Sequence, residues 1–263
     1  MSGGGFRFAG RHVWEFGLEF IVKRWPFSAG VTLNKVSSPL QNGSLRYPGI
    51  IYKEKPFEGT LYWTDPDDEL ITEAEMMERA LEISAWLHPA EREKLILDAL
   101  PDRYYLGEVE VELNLEDEKW KNGESAVRFV LQPFCYALSP VTIVKELVAG
   151  EKADITLQLQ GTVPAAVNLK LTAEAPVNTL RIDYGDKFIS INDLNMAADD
   201  VLAIEALPEK NELMTITING APSMAKLDKY SQSPLMVQPG VVALGVTASG
   251  AAKAEVSVRA RWK

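Results

Sequence analysis

From residue 155 onward the chain keeps returning to one pattern, an apolar residue at every second position and then a turn. Ile155, Leu157 and Leu159 alternate with Thr156, Gln158 and Gln160; Val167, Leu169 and Leu171 alternate with Asn168, Lys170 and Thr172. Leu180 with Ile182, Ile189 with Ile191, Met214 with Ile216 and Ile218, Val242 with Leu244 and Val246, and Val256 with Val258 continue it. A period of two belongs to a strand with one face in a core and the other in water. Gly161, Pro176, Tyr184-Gly185-Asp186, Asn219-Gly220, Pro239-Gly240 and Ser249-Gly250 punctuate the runs. Short strands so spaced predict a β-sandwich whose inner faces fill the core without a cofactor. The segment "LNMAADDVLAIEAL" is open to a helical reading, but "VLAIEAL" fits better as one more strand.

The first half reads differently. "VTLNKV" (Val31 to Val36) and "FEGTLYW" (ending at Trp63) are strand candidates, and "SSPLQNGSLRYPG" between them reads as a loop by composition. One convincing helix follows. Thr72 and Glu75 have the spacing of a capping box, and Pro89 should end the helix near Leu87. Met76, Met77, Ala80, Leu81, Ile83, Ser84 and Leu87 fall on one broad face, which predicts a core-facing stripe, and Trp86 is placed to anchor the helix on a sheet. "KLILD" is the next strand candidate and "LPDR" a turn. Val109, Val111, Leu113 and Leu115 then alternate with Glu108, Glu110, Glu112 and Asn114; Asn122-Gly123 signals a hairpin, and Val127, Phe129 and Leu131 return. Tyr105 to Gln132 is thus expected to be a two-stranded ribbon packed on the helix.

Charge marks where the texture changes. The formal net charge is −10, of which −8 lies in residues 1–146. The expected organisation is mainly β: an N-terminal β-rich domain with one helix over residues 1–145, then a C-terminal sandwich over residues 146–263. A net negative chain with no basic cluster is a poor match for high-affinity nucleic-acid binding. No apolar run approaches the length of a membrane span, and the start "MSGGGFRFAG" has no signal-peptide pattern. Cys135 is the only cysteine and has apolar neighbours, so a buried inert thiol is expected, in a protein made and assembled in a reducing cytoplasm.

Motifs for chemistry are missing. The two histidines, His12 and His88, stand in no catalytic or zinc motif, and no nucleophile elbow, P-loop or dinucleotide fingerprint occurs. "TDPDDEL" lacks the spacing, central glycine and closing glutamate of a calcium loop, and acids there suit the helix N-terminus. The reading is no enzyme, no cofactor and no metal. Glu108, Glu110 and Glu112 lie on one strand face, roughly 7 Å apart at strand rise. Three carboxylates so close resist joint burial, so that face must meet water, a cation or basic partner residues.

The ordered set of elements resembles the distal tail proteins of siphophages. Its N-terminal part carries the likeness in Trp86-Leu87, Asp98, Pro101-Asp102, Tyr104-Tyr105 and Pro133-Phe134, and its C-terminal part in "TLRIDYGDKFISIN", "MTITING", "SPLMVQPGVVALGV" and "VSVRARWK". One departure is Pro48-Gly49, where an Arg-Asp-Gly-like turn is expected. The resemblance implies a galectin-like C-terminal sandwich and a structural virion protein at the tail tip. It implies a homo-hexameric ring built by N-terminal domains, joining the tail tube protein to a tail fibre or tail-associated lysin, with C-terminal domains that can carry receptor-binding or other baseplate proteins. On that basis Tyr104, Tyr105, Glu108, Glu110 and Glu112 are candidates for a ring lumen or subunit interface. The other reading is a carbohydrate-binding module of a baseplate or secreted protein. It calls for a row of exposed aromatics, where the C-terminal part offers Tyr184, Phe188, Tyr230 and Trp262, scattered in sequence.

Overall fold

The computed structural model describes residues 4–25, 28–37, 44–63, 72–110 and 124–263. The fold is mainly β, and the chain divides into two compact units that meet between Cys135 and Tyr136. The expected boundary at 145/146 falls instead within a strand of the second unit, because the alternating texture starts later than the sheet it feeds.

The N-terminal unit contains β1 (Phe6–Phe8), β2 (Arg11–His12), β3 (Leu18–Arg24), β4 (Val31–Ser37), β5 (Ser44–Tyr52), β6 (Lys55–Trp63), helix α1 (Glu73–Leu87), β7 (Glu93–Leu97), β8 (Arg103–Val109) and β9 (Glu124–Ala137), the last running into the second unit. Its sheet has the order β2-β1-β7-β8-β9-β6-β3, and β4 pairs with β5 as a separate two-stranded ribbon. β5 corrects the loop expected over residues 37–49: strand pairing resumes at Ser44, breaks between Arg46 and Ile50 where Pro48-Gly49 lie, and continues from Ile50. Proline has no N–H for a ladder, and the register shift between Leu33 and Lys35 opposite this stretch is the kind of irregularity that accommodates it. The Asn42-Gly43 turn, the helix-preceding acids and the Asn122-Gly123 hairpin lie outside the described residues.

Helix α1 begins as expected. The Thr72 hydroxyl accepts from the Glu75 N–H at 3.3 Å while the Glu75 carboxylate accepts from the Thr72 N–H at 2.9 Å. Its core contact is narrower than the sequence pattern suggests. Ile83, Trp86 and Leu87 are buried, whereas Met77 and Leu81 are 62% and 71% exposed. The helix docks through its C-terminal turns. The Trp86 indole N–H donates to the Phe8 carbonyl at 2.8 Å, and its ring stacks on Phe16 (4.3 Å between centroids) and Phe6 (5.7 Å). Around it Phe6, Phe8, Phe20, Phe57 and Phe129 form an aromatic core with edge-on and tilted contacts. Further toward its N-terminus the helix is tied by a polar clamp to the short 3-10 turn Val13–Phe16 that precedes β3, the Arg79 guanidinium donating to the Phe16 carbonyl at 2.6 Å.

The C-terminal unit contains β10 (Val141–Leu147), β11 (Lys152–Leu159), β12 (Ala165–Ala173), β13 (Leu180–Tyr184), β14 (Lys187–Ile191), β15 (Val201–Ala206), β16 (Met214–Ile218), β17 (Ala221–Pro222), β18 (Met236–Val237), β19 (Gly240–Ala248), β20 (Ala252–Val258) and β21 (Arg261–Trp262). One sheet has the order β10-β20-β12-β15-β16-β17 with β18 beside β12, and the second has the order β11-β19-β13-β14. The alternating apolar positions bury between them: Ile155, Leu157, Leu169, Leu171, Ile182, Leu244, Val246 and Val256 belong to one core. "VLAIEA" is β15, paired on both sides, so period two prevails over the helical reading. The Asn219-Gly220 hairpin turn has φ 48° and 80° at its two central residues, as the right-handed twist of its strands requires. The chain end is locked by Arg261, whose buried guanidinium pairs with Glu212 and donates to the Pro164 carbonyl.

Candidate partner-binding site

Strand β8 carries three of the five residues that the sequence singles out, Tyr104, Tyr105 and Glu108, and ends just before a fourth, Glu110. The Pro101-Asp102 turn places it: the Leu100 N–H donates to Leu97 and the Arg103 N–H to Leu100, and the chain returns with Glu93 opposite Gly107 and Leu95 opposite Tyr105. Alternation then sorts the strand. Tyr105 and Val109 pack against the aromatic core, while Tyr104, Leu106, Glu108 and Glu110 share the other parity.

The paired tyrosines have internal partners. Tyr104 is fully buried, with the Lys94 ammonium 4.9 Å from its ring centroid. Tyr105 is half-buried beside Cys135, and burial first, then the neighbouring thiol, push its phenol pKa far up. Lys55, nearly fully buried, lies 5.5 Å from the Tyr105 ring, and loss of hydration pulls its own pKa down. Both rings therefore brace β8 within the chain. Cys135 is buried.

Glu108 and Glu110 are exposed, and each meets an arginine of the same unit. Arg92 bridges Glu54 at 2.5 Å and Glu108 at 3.1 Å. Arg128 lies 3.6 Å from Glu110 and 3.7 Å from Glu58, which in turn is 3.7 Å from Arg24. Burial works against the charge on Arg92, yet the Glu108 and Glu54 carboxylates outweigh it and raise its pKa. Such exposed pairs contribute roughly 0–1 kcal/mol each; their effect is to interleave cations into what the sequence presents as a bare acidic row. Glu112 lies outside the described residues. The arginines were legible only through register. The pairing of Glu93 with Gly107 puts Arg92 across from Glu108, and Arg128 faces Glu58 directly.

Beside this row is an open cleft of about 230 Å³, where Leu87, Pro89, Val109 and Val130 form apolar walls and Glu54, Glu108 and Glu110 a carboxylate rim. His88 is also on its lining, its Nδ1 3.0 Å from the Ser84 carbonyl at the helix end. His12 is engaged elsewhere: Nδ1 accepts from the Trp14 N–H, so Nε2 carries the proton and donates to Asp98 at 3.0 Å. Each ring thus serves a helix terminus or a strand junction. Among the described residues no group of His, Cys, Asp and Glu is arranged to hold a metal, and no helix is long and apolar enough to cross a membrane. In the C-terminal unit the aromatics lie on separate elements. The Tyr184 hydroxyl accepts from the Gln238 N–H, Phe188 lies under Arg181 at 4.1 Å, Tyr230 is exposed and Trp262 packs on the core.

Fold and surface together define a class: a two-unit, mainly β protein whose N-terminal unit carries a mixed-charge row beside an open cleft. Residues 160–262 match the model of the siphovirus-type tail component, C-terminal domain. Over 99% of both chains the fold superposes on the SPP1 phage Dit (gp 19.1) protein, described as a paradigm of the hub adsorption apparatus in phages infecting Gram-positive bacteria, with a TM-score of 0.70 at 12% identity. A chain of the phage P2 baseplate in its activated, Ca-containing conformation matches over 98% of both chains, with a TM-score of 0.53 at 9% identity. No curated protein sequence matches the chain. The resemblance to siphophage distal tail proteins therefore holds in fold along the whole chain and in sequence over its C-terminal part.

Proposed function

We propose that this chain is a structural virion protein, the hub at the distal end of a long non-contractile phage tail. The observation that carries the reading is end-to-end agreement with the SPP1 Dit fold, both units included. An adsorption hub has to present surfaces to several neighbours at once. Two units with separate cores suit that task, because each buries its own apolar faces and leaves its outer surfaces for partners. In this reading the N-terminal unit builds a homo-hexameric ring that joins the tail tube protein to a tail fibre or tail-associated lysin. The C-terminal unit forms a galectin-like sandwich that carries receptor-binding or other baseplate proteins. Glu108 and Glu110, with their arginines, line the lumen or a subunit contact as a mixed-charge surface, and Tyr104 and Tyr105 stiffen the strand that presents them.

Light scattering of the purified chain tests this. A ring of six has a mass of about 175 kDa, set by the 29.1 kDa chain, and two stacked rings twice that. A mass that stays at one chain across a wide concentration range contradicts the proposal.

A further inference from the structure

Two exposed surfaces of the N-terminal unit are complementary. The first is the outward side of α1. Ala74, Met77, Glu78, Leu81, Glu82 and Ala85 are all exposed and follow one another at helical spacing, so they form one stripe: an apolar centre flanked by carboxylates. The second is the far end of β3. Its inward alternation, Leu18 then Phe20, stops at Val22: Ile21, Val22, Lys23 and Arg24 are all exposed, and so is Trp25 just beyond, leaning edge-on to Phe57 at 5.6 Å. A register shift between Val22 and Arg24 lifts this end out of regular pairing with β6. The result is an apolar patch with two cations, on a strand whose outer edge has no strand beside it among the described residues.

The two surfaces lie apart on the unit. Arg79 of α1 holds the Phe16 carbonyl, two residues before β3. The exposed end of β3 begins five residues beyond Phe16, about 17 Å at strand rise. An acidic-apolar surface at one end and a basic-apolar surface at the other is the layout of a head-to-tail contact, which closes into a ring when the rotation permits.

We propose that copies of this chain join head to tail, the α1 stripe of one copy seating the Ile21–Trp25 end of β3 of the next. This rests on the hub reading and names the surfaces that close its ring. Met77, Leu81, Val22 and Trp25 supply the desolvated centre and Glu78 faces Lys23 at its edge, while Glu82 and Arg24 keep their own partners, Arg11 and Glu58.

Mixing two damaged variants tests it. Met77→Glu with Leu81→Glu puts carboxylates into the apolar centre of the helix surface only, Val22→Glu with Lys23→Glu spoils only the strand surface, and like charge keeps the two damaged surfaces apart. Alone, each is expected to lose the ring and run as a 29.1 kDa monomer with the wild-type far-UV circular dichroism spectrum. Mixed one to one, each still has one good surface, and a species of twice that mass forms and grows no further. A ring made by either variant alone, or two folded variants that stay monomeric on mixing, overturns the assignment while the hub reading survives on the wild-type mass. A monomeric wild type removes both. Should a charged variant melt early, Met77→Ser with Leu81→Ser and Ile21→Thr with Val22→Thr read the same contact through the same masses.

Discussion

Replacing Trp86 with alanine should unfold one half of this protein early and leave the other half alone. The indole is almost fully buried, stacks on Phe16 and Phe6, and donates its N–H to the Phe8 carbonyl. Removing it opens a large cavity beneath the helix and deletes the bond that fixes α1 to β1. Truncations of buried tryptophan cost about 3–5 kcal/mol, cavity and lost transfer energy included. Trp86→Phe separates the parts: it keeps most of the stacking and gives up the hydrogen bond, for about 1–2 kcal/mol. Urea unfolding at fixed protein concentration, followed by far-UV circular dichroism, should resolve two transitions, since each unit has its own core. Only the N-terminal transition should move, and Trp86→Ala should move it two to three times as far as Trp86→Phe. Equal displacement of both transitions would show one merged core. A cost below about 1 kcal/mol for Trp86→Ala would show that the helix is held by something else.

Other expectations follow from particular contacts. Glu212→Gln leaves the buried Arg261 guanidinium without its counter-charge and should lower the C-terminal transition by about 1–3 kcal/mol, less than for a fully enclosed pair. The Glu15, Glu75 and Asp200 carboxyls have lowered pKa values, chiefly through the His12 backbone N–H, the Thr72 side chain and the Asn219 side chain respectively. Their folded forms hold protons less tightly than their unfolded forms. The stability they contribute is complete above the ordinary carboxylate range and disappears as pH falls through the folded values. Acid titrations of Glu75→Gln should therefore show a shallower loss of helix than wild type. Thr72→Ala, which removes the cap, should cost about 1 kcal/mol in the N-terminal transition. A chain beginning at Tyr136 should fold alone and melt with the profile of the C-terminal transition; a fragment with no cooperative melt would contradict the two-unit organisation.

The C-terminal unit was readable because a sandwich strand has one wet face and one dry one, so Ile155 to Leu159 and Val242 to Val246 announce their orientation residue by residue. The helix was readable at its ends, where Thr72, Glu75 and Pro89 act through local bonds and sterics. Its core face was not, because Met77 and Leu81 have helical spacing equal to that of buried residues, and only the position of the sheet decides which side is covered. β5 hid behind Pro48-Gly49, which mark an irregularity within the strand and not its end. The candidate site divided along the same line. Glu108 and Glu110 stood out as a period-two acidic row, but Arg92, Arg128, Glu54 and Glu58 reach them from other strands or just beyond their ends. Such partners become visible only when strand order and register are known.

The account stands most directly on where the protein sits in a phage particle. Gold-labelled antibodies against the purified chain, imaged on intact virions of the phage that encodes it, should mark one end of each tail, the end away from the capsid. Label along the tail shaft, on the capsid or on no part of the particle would contradict a distal hub.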